Sequence, residues 1–361
     1  MNELIAGFFA PWIIFAVILL LHLALPARTV DGYVRDAQTG RPLRYRLNGL
    51  LVLFSTVGLW ALGCAVGWVP WNWLYTHRWA GLVGSCVVGL AFSFAMVLSA
   101  PGSGKPFLVE FYKGRLENPQ FLGGRLDVKM FLYLVGATVL ALNVLSFASH
   151  HVLAYGPDAS PGVYLHAALF LWFVVEYLVF EHVHLYTFDF VAERVGFKLG
   201  WGCFTFYPYF YAVGLWAVAD LPDPHRPTWL LVLSAAVFFA GWTVSRGANM
   251  QKYLFKAAPD RALLGILKPR ALRDGDRALL CSGFWGVARH VNYSGEILMA
   301  LGLTLCLGRP DAWAAWLYPL YYVALLFARE RSDERRCAAK YGALWDEYRR
   351  RVPRRIIPGI Y

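Results

Sequence analysis

The chain has 361 residues, 58% of them hydrophobic and only 16% charged, with a formal net charge of +11. A soluble domain carries about 25% charged residues, so the deficit points to a lipid-facing surface wherever apolar runs are long enough to cross a bilayer. The excess of Lys and Arg then belongs to loops and lipid head groups, and no nucleic-acid partner is expected.

In chain order, apolar runs cover residues 5–25, 47–69, 82–98, 130–148, 163–180, 199–218 and 229–244. Each reaches or approaches the ~20 residues that span a bilayer as a helix. Residues 297–307 and 312–327 are two further runs, shorter or richer in aromatics. The expected fold class is all-α, a polytopic transmembrane helical bundle with about 9–10 spans. The first run has neither a preceding basic region nor a small-residue cleavage site, so it reads as a retained helix. Cys64, Cys86, Cys203, Cys281, Cys306 and Cys337 include no Cys-x-x-Cys pair and mostly lie in apolar runs. They read as packing residues, and no metal site is expected.

The connections alternate in charge. Arg28, Arg35, Arg41, Arg44 and Arg46 crowd the first, Lys105, Lys113, Arg115 and Arg125 the third, and Arg194 and Lys198 the fifth, whereas residues 149–162 hold no Lys or Arg. Positive loops stay cytoplasmic, so the pattern predicts an N-terminus outside and a C-terminus in the cytoplasm. Residues 246–293 are too long for a plain loop and are expected to form short amphipathic helices. Residues 330–348 read as a charged helix, with Arg329 and Asp333 spaced for an i,i+4 pair at its start. Pro353, Pro358 and Gly359 forbid helix in the last residues.

Three C-terminal segments carry chemistry. In NMQKYLFK, residues 249–256, Asn249, Lys252 and Lys256 share one helical face and offer two cations and an amide to a phosphate-bearing ligand. A basic helix touching lipid phosphate would look the same. In LLCSGFWGVARHVNYSGE, residues 279–296, Gly283, Gly286 and Gly295 permit close backbone approach, and Phe284 and Trp285 offer flat surfaces. Arg289, His290, Asn292 and Tyr293 then set polar groups side by side at the mouth of a span. In RERSDERRCAAKYGALWDEY, residues 329–348, Asp333 can accept from ribose or amide groups, while Lys340 and nearby arginines can hold phosphate. Together these point to a nucleotide-sized anionic ligand. A G-x-G-x-x-G after a strand and a P-loop are both absent, which excludes the common soluble nucleotide folds. His182 and His184, two apart, are poorly spaced for one metal on a helix and read as packing or hydrogen-bonding residues.

With YRLNG at 45–49, YKGRLENPQ at 112–120, YTFDF at 186–190 and the terminal VPRRIIPGIY, these segments resemble the sterol reductase family. That family comprises Δ14-, Δ7- and Δ24(28)-sterol reductases and the lamin B receptor, and the chain looks most like bacterial Δ14-sterol reductases. The resemblance implies NADPH in a cytoplasm-facing pocket of C-terminal helices, beside a membrane cavity for the sterol. Residues 1–245 would then supply transmembrane helices and cavity walls, and residues 246–361 the NADPH-binding region. Carried over by motif, Lys252 and Lys256 resemble the cofactor-phosphate contacts, although the family often has Arg where Lys256 stands. Leu280, Trp285, Asn292 and Tyr293 match the middle of the cofactor motif. Asp333, the run Cys337, Ala338, Ala339, Lys340 and Tyr341, and then Tyr348 match its final part, with Arg329 as a supporting ion-pair residue. A Gly-Gly-rich helix that usually precedes the first matching span is not seen. The implied partners are the sterol and the bilayer, with no obligate protein partner.

Reducing an unactivated ring alkene needs a proton and a hydride, and the acid should sit where burial raises its pKa. Glu176, Glu181, Asp189 and Tyr177, on the fifth run and its exit, are the candidates, with Asp189 in the matching YTFDF stretch the first choice. Three alternatives stay open. One is a Δ7- or Δ24(28)-sterol reductase. Another is a membrane methyltransferase like the isoprenylcysteine carboxyl methyltransferases, which share an Arg-His…Tyr…Gly-Glu stretch but have Pro where this chain has Val291. The third is a non-catalytic sterol-binding protein.

Overall fold

The computed structural model describes residues 2–36 and 39–361, and the chain divides into two compact units, Met1–Pro224 and His225–Tyr361.

The first unit opens with the apolar helix α1 (Asn2–Ala24) and an antiparallel hairpin of β1 (Arg28–Arg35) and β2 (Pro42–Leu47). Alternation along β2 turns Tyr45 into the core while Arg44, opposite Asp31, stays exposed. Helices α2 (Gly49–Ala65) and α3 (Arg78–Leu98) follow, then a two-residue ladder of β3 (Gln120–Phe121) with β4 (Leu126–Asp127). Helix α4 (Val128–Tyr155) begins where the Asp127 side chain accepts from the Met130 N–H, an N-cap that satisfies one orphan donor. Helix α5 (Pro161–Val179) completes the long elements of this unit. Helix α4 is almost wholly buried and α1 mostly exposed, so α4 is the unit's central post and α1 is left with an apolar outer face.

Residues 199–218 are not one smooth helix. Phe197–Trp201 runs into a π-helical turn at Gly202–Phe206, then Tyr207–Phe210 and Val213–Val218. Pro208 has no N–H to give the preceding turn, and π turns of this kind concentrate at functional sites.

The second unit is built on α6 (Thr228–Ala257). Its 30 residues make a rod of about 45 Å, longer than the ~30 Å hydrocarbon layer. Its polar last turns therefore continue past the apolar stretch. Residues 258–290 then depart from the expected short helices. Strands β5 (Ala271–Asp274) and β6 (Arg277–Leu280) pair as a hairpin, followed by a single 3-10 turn at Gly283–Gly286. The reason is turn chemistry, because Gly275-Asp276 closes the hairpin, with Gly275 taking the positive φ of +55° at the first turn position. Helix α7 (Val291–Leu305) packs tightly on α6, since a Cβ on Gly241 would meet the Gly295 carbonyl at 2.6 Å. The charged helix expected over 330–348 is in two pieces. Helix α8 (Leu317–Tyr341) ends and α9 (Ala343–Arg351) begins at Gly342, whose φ of +55° is left-handed.

Among the described residues, α1, α3, α4, α5 and α6 are long and apolar enough to cross a membrane, and α2 is a shorter apolar helix. The chain is a polytopic helical membrane protein.

Candidate functional site

In the second unit, the sequence-selected residues gather where the end of α6, the 3-10 turn and the starts of α7 and α9 meet the middle of α8. Trp285 is the hub. It is 9% exposed, its Nε1 donates to the Ala248 carbonyl at 2.8 Å, and its own carbonyl accepts from Tyr348 Oη at 2.9 Å. Leu280 packs with it among Ala248, Ala288 and Val291. Tyr348 belongs to a neighbouring cluster with Leu344, Trp345 and Val352, against which Cys337 and Tyr341 also pack. Burial and the Trp285 carbonyl thus hold both rings still, and burial pushes the Tyr348 phenol up.

Polar groups surround this hub. Lys252 Nζ stands 5.1 Å over the Trp285 ring. Lys256, Arg336 and Lys340 lie close enough to act on its charge, and Asp333 is the carboxylate among its neighbours. Asp333 Oδ2 accepts from Tyr293 Oη at 2.7 Å. Asn292 Nδ2 reaches Asn249 Oδ1 at 3.4 Å, while its Oδ1 is buried with no hydrogen-bond partner among the described residues. Ala338, Ala339 and Lys340 are exposed on α8, and Arg329 is half-buried farther up the same helix. The Lys252 ammonium over the indole, three further cations within electrostatic reach of it and an unsatisfied amide oxygen are chemistry that could receive an anionic ligand with a planar ring and an N–H donor.

Two residues outside the motif positions shape this site. Gln251, on the buried face of the NMQKYLFK helix, donates to the Ser282 carbonyl at 3.1 Å and accepts from the Phe284 N–H at 3.0 Å, so it fixes the 3-10 turn that carries Trp285. Glu334, next to Asp333, accepts from Arg289 Nε at 2.6 Å. Burial alone would raise its carboxyl, but His290 and the Arg289 guanidinium hold it down at about 2. Their sequence signals were weak, a Gln inside a basic face and a second acid beside the first.

The first unit brings three of the four acid candidates together, and the fourth, Glu176, is buried on α5 beside Tyr177 in the chain. Tyr177, on α5, stacks on His184 with ring centroids 3.9 Å apart, and both Glu181 and Asp189 lie close enough to act on its hydroxyl electrostatically. Glu181 is 6% exposed, and its Oε2 accepts from the Gly49 N–H at the start of α2, at 3.3 Å. Burial pushes its carboxyl up to about 7. Asp189 is less enclosed, and its carbonyl accepts from the buried Lys129 ammonium at 3.1 Å, as the Phe190 carbonyl does at 3.0 Å. The YRLNG and YTFDF stretches, far apart in sequence, are in contact here, Tyr45 packing edge-on against Phe190 at 6.2 Å.

Residues 3–361 match the ergosterol biosynthesis ERG4/ERG24 family. This chain belongs to that family. Among its relatives is the Delta(14)-sterol reductase of Arabidopsis thaliana, 33% identical over 350 residues that cover 93% of this chain and 91% of the plant protein. That of Methylotuvimicrobium alcaliphilum, a bacterial relative, is 31% identical over 370 residues covering 99% and 83%. The Delta(14)-sterol reductase TM7SF2 of Mus musculus is 32% identical over 370 residues covering 98% and 86%. Membership extends over both units, so the polar cluster on α6–α9 and the acid cluster beside α5 both lie within the ERG4/ERG24 match.

Proposed function

We propose that this chain reduces the C14–C15 double bond of a sterol with NADPH as reductant. The observation that carries the reading is the near full-length likeness to plant, bacterial and mammalian relatives named Delta(14)-sterol reductase. Two features of the structure support it. The side chains gathered in the second unit would suit a dinucleotide bearing an extra phosphate. Lys252, Lys256 and Lys340 gather three amines that a bound polyphosphate would hold protonated, more than a pyrophosphate needs. The Trp285 ring offers a flat wall, the unsatisfied Asn292 Oδ1 can take an amide N–H, and Asp333 can accept from a ribose hydroxyl. The positive loop pattern argues for this pocket facing the cytoplasm.

The first unit supplies the acid. Glu181 is our choice over Asp189, since a carboxyl pushed up to about 7 keeps a large protonated fraction at neutral pH and can still give its proton up. Protonation at the less substituted alkene carbon leaves positive charge on the tertiary carbon, and the departing proton leaves Glu181 as a carboxylate that the Gly49 N–H can steady. Bound NADPH would supply the hydride that neutralises that carbon. Tyr177, held by His184, fixes the wall beside the acid.

Purified protein with NADPH and Δ14, Δ7 and Δ24(28) sterols in parallel, read by mass spectrometry, tests the proposal. Reduction of the Δ14 substrate is expected. Turnover of only a Δ7 or Δ24(28) sterol would reject the bond and keep the reaction class. Binding of S-adenosylmethionine without NADPH binding would favour the methyltransferase reading.

A further inference from the structure

We infer that Arg289 and the C-terminal tail, residues 352–361, clamp the start of α7, so that docking of the tail and binding of the cofactor are coupled. The inference rests on the NADPH reading above and assigns Arg289 as a positioning residue.

The carbonyls of Val352, Pro353, Arg354, Arg355 and Ile356 all accept hydrogen bonds from residues at the head of α7. Arg289 Nη1 donates to Val352 at 2.7 Å and to Pro353 at 3.0 Å. The Arg289 N–H donates to Arg354 at 2.9 Å and the His290 N–H to Arg355 at 2.7 Å. Ser294 Oγ completes the row with Ile356 at 2.5 Å. Pro353 and Pro358 keep the tail out of helix, leaving its carbonyls to accept from outside. The far end folds back on itself, Arg355 and Ile356 N–H groups donating to the Tyr361 carbonyl at 2.8 and 3.0 Å, and the Tyr361 ring stacks on Phe327.

Arg289 is 4% exposed, and a guanidinium so enclosed is costly unless its donors are used. Here they are, because the Nε that the tail does not take goes to Glu334 at 2.6 Å. That ion pair lies one step from the cofactor residues. Tyr293 follows Arg289 by four residues across the start of α7, Asp333 precedes Glu334, and Tyr293 and Asp333 are joined at 2.7 Å. The Arg289–Glu334 and Tyr293–Asp333 bonds are thus two rungs between the same two segments, and Asn292 sits on the first of them. Buried Glu330 adds a tie to the tail through Arg355 at 3.5 Å. A tail that undocks releases the first rung and lets the second lose register. By linkage, a cofactor that needs the second rung must favour the docked tail.

The test uses the full-length detergent-purified protein. Carboxypeptidase release of Tyr361 and Ile360 is followed by mass spectrometry with and without saturating NADPH, and NADPH affinity is measured for wild type and Arg289→Lys. We expect NADPH to slow tail release at least about fivefold and Arg289→Lys to weaken NADPH about tenfold, within the usual range of coupling. Lysine keeps the charge but cannot bridge the carboxylate and two carbonyls at once. If Arg289→Lys does not fold, Ser294→Ala, which removes one tail bond, should weaken NADPH about threefold, also within that range. Tail release unaffected by NADPH, with variants that bind at wild-type affinity, would overturn the clamp and leave the tail a purely structural element. Wild-type protein that does not bind NADPH would overturn the cofactor reading itself, and the clamp with it.

Discussion

Two glutamates, one in each unit, show how differently the two regions treat the same side chain. Glu181, at the exit of α5, is buried with one backbone N–H for company, and its carboxyl is pushed up to about 7. Glu334, on α8, is also partly buried, but an arginine and a histidine beside it hold it down at about 2. The same side chain is pushed toward its neutral form in one region and held ionised in the other, by desolvation in the first and by paired charge in the second. The first environment suits a group that must give up a proton. The second suits a frame that must not move while a charged ligand comes and goes. Both lie next to family motifs, yet only the first has the raised carboxyl that the proposed proton transfer would need.

The largest expected effect tests the acid side of this contrast. Glu181→Gln should lower kcat at least about 100-fold, the usual contribution of a positioned acid, while NADPH affinity stays within about twofold. Steady-state turnover and equilibrium binding, measured on the same preparation, separate the two. Equal loss in Asp189→Asn with normal Glu181→Gln would move the role to Asp189.

On the other side, Lys252→Ala should weaken NADPH about tenfold or more, the cost of a lost charged hydrogen bond, and NADH much less. Titration of both cofactors at one salt concentration reads this. A parallel loss for both would mean that Lys252 serves the shared pyrophosphate and not the extra phosphate.

The pH profile sharpens the comparison further. An acid must be protonated to act, and a carboxyl raised to about 7 loses its proton as pH rises through that value. Above pH 7, kcat should therefore fall toward about tenfold per unit, and the fall should vanish in Glu181→Gln. A flat wild-type profile between pH 6 and 9 would remove Glu181 as the acid. The smallest effect is expected from Tyr293→Phe, which loses one hydrogen bond to Asp333 and should weaken NADPH about fivefold.

Much of this was legible in the sequence. Apolar run length predicted helices where α1 to α8 lie, because a bilayer sets a length that composition must meet. The Lys252, Trp285, Tyr293 and Asp333 neighbourhood was legible from motif and helical spacing. Four features were not read. The hairpin at 271–280 hides in a polar stretch whose sign is the Gly275-Asp276 turn, a signal outweighed by the charge around it. The π turn at 202–206 leaves no trace in hydropathy, since every residue there remains apolar or small. The choice between Glu181 and Asp189 depends on burial and on the Gly49 N–H, a contact made across 132 residues. The inward course of Arg289 was hidden for the same reason, as its partners lie on a tail that sequence spacing cannot bring near.

The central claim is that the neutral glutamate and the cationic pocket serve one reduction. Single-turnover conversion of a Δ14 sterol by purified protein in deuterated water, with NADPH present, tests it most directly. The account predicts product carrying one solvent deuterium and one cofactor hydrogen, formed at wild-type rate below pH 7 and at least about 100-fold more slowly by Glu181→Gln. Product formed at an unchanged rate by that variant, or no product from any sterol while NADPH binds, would contradict it.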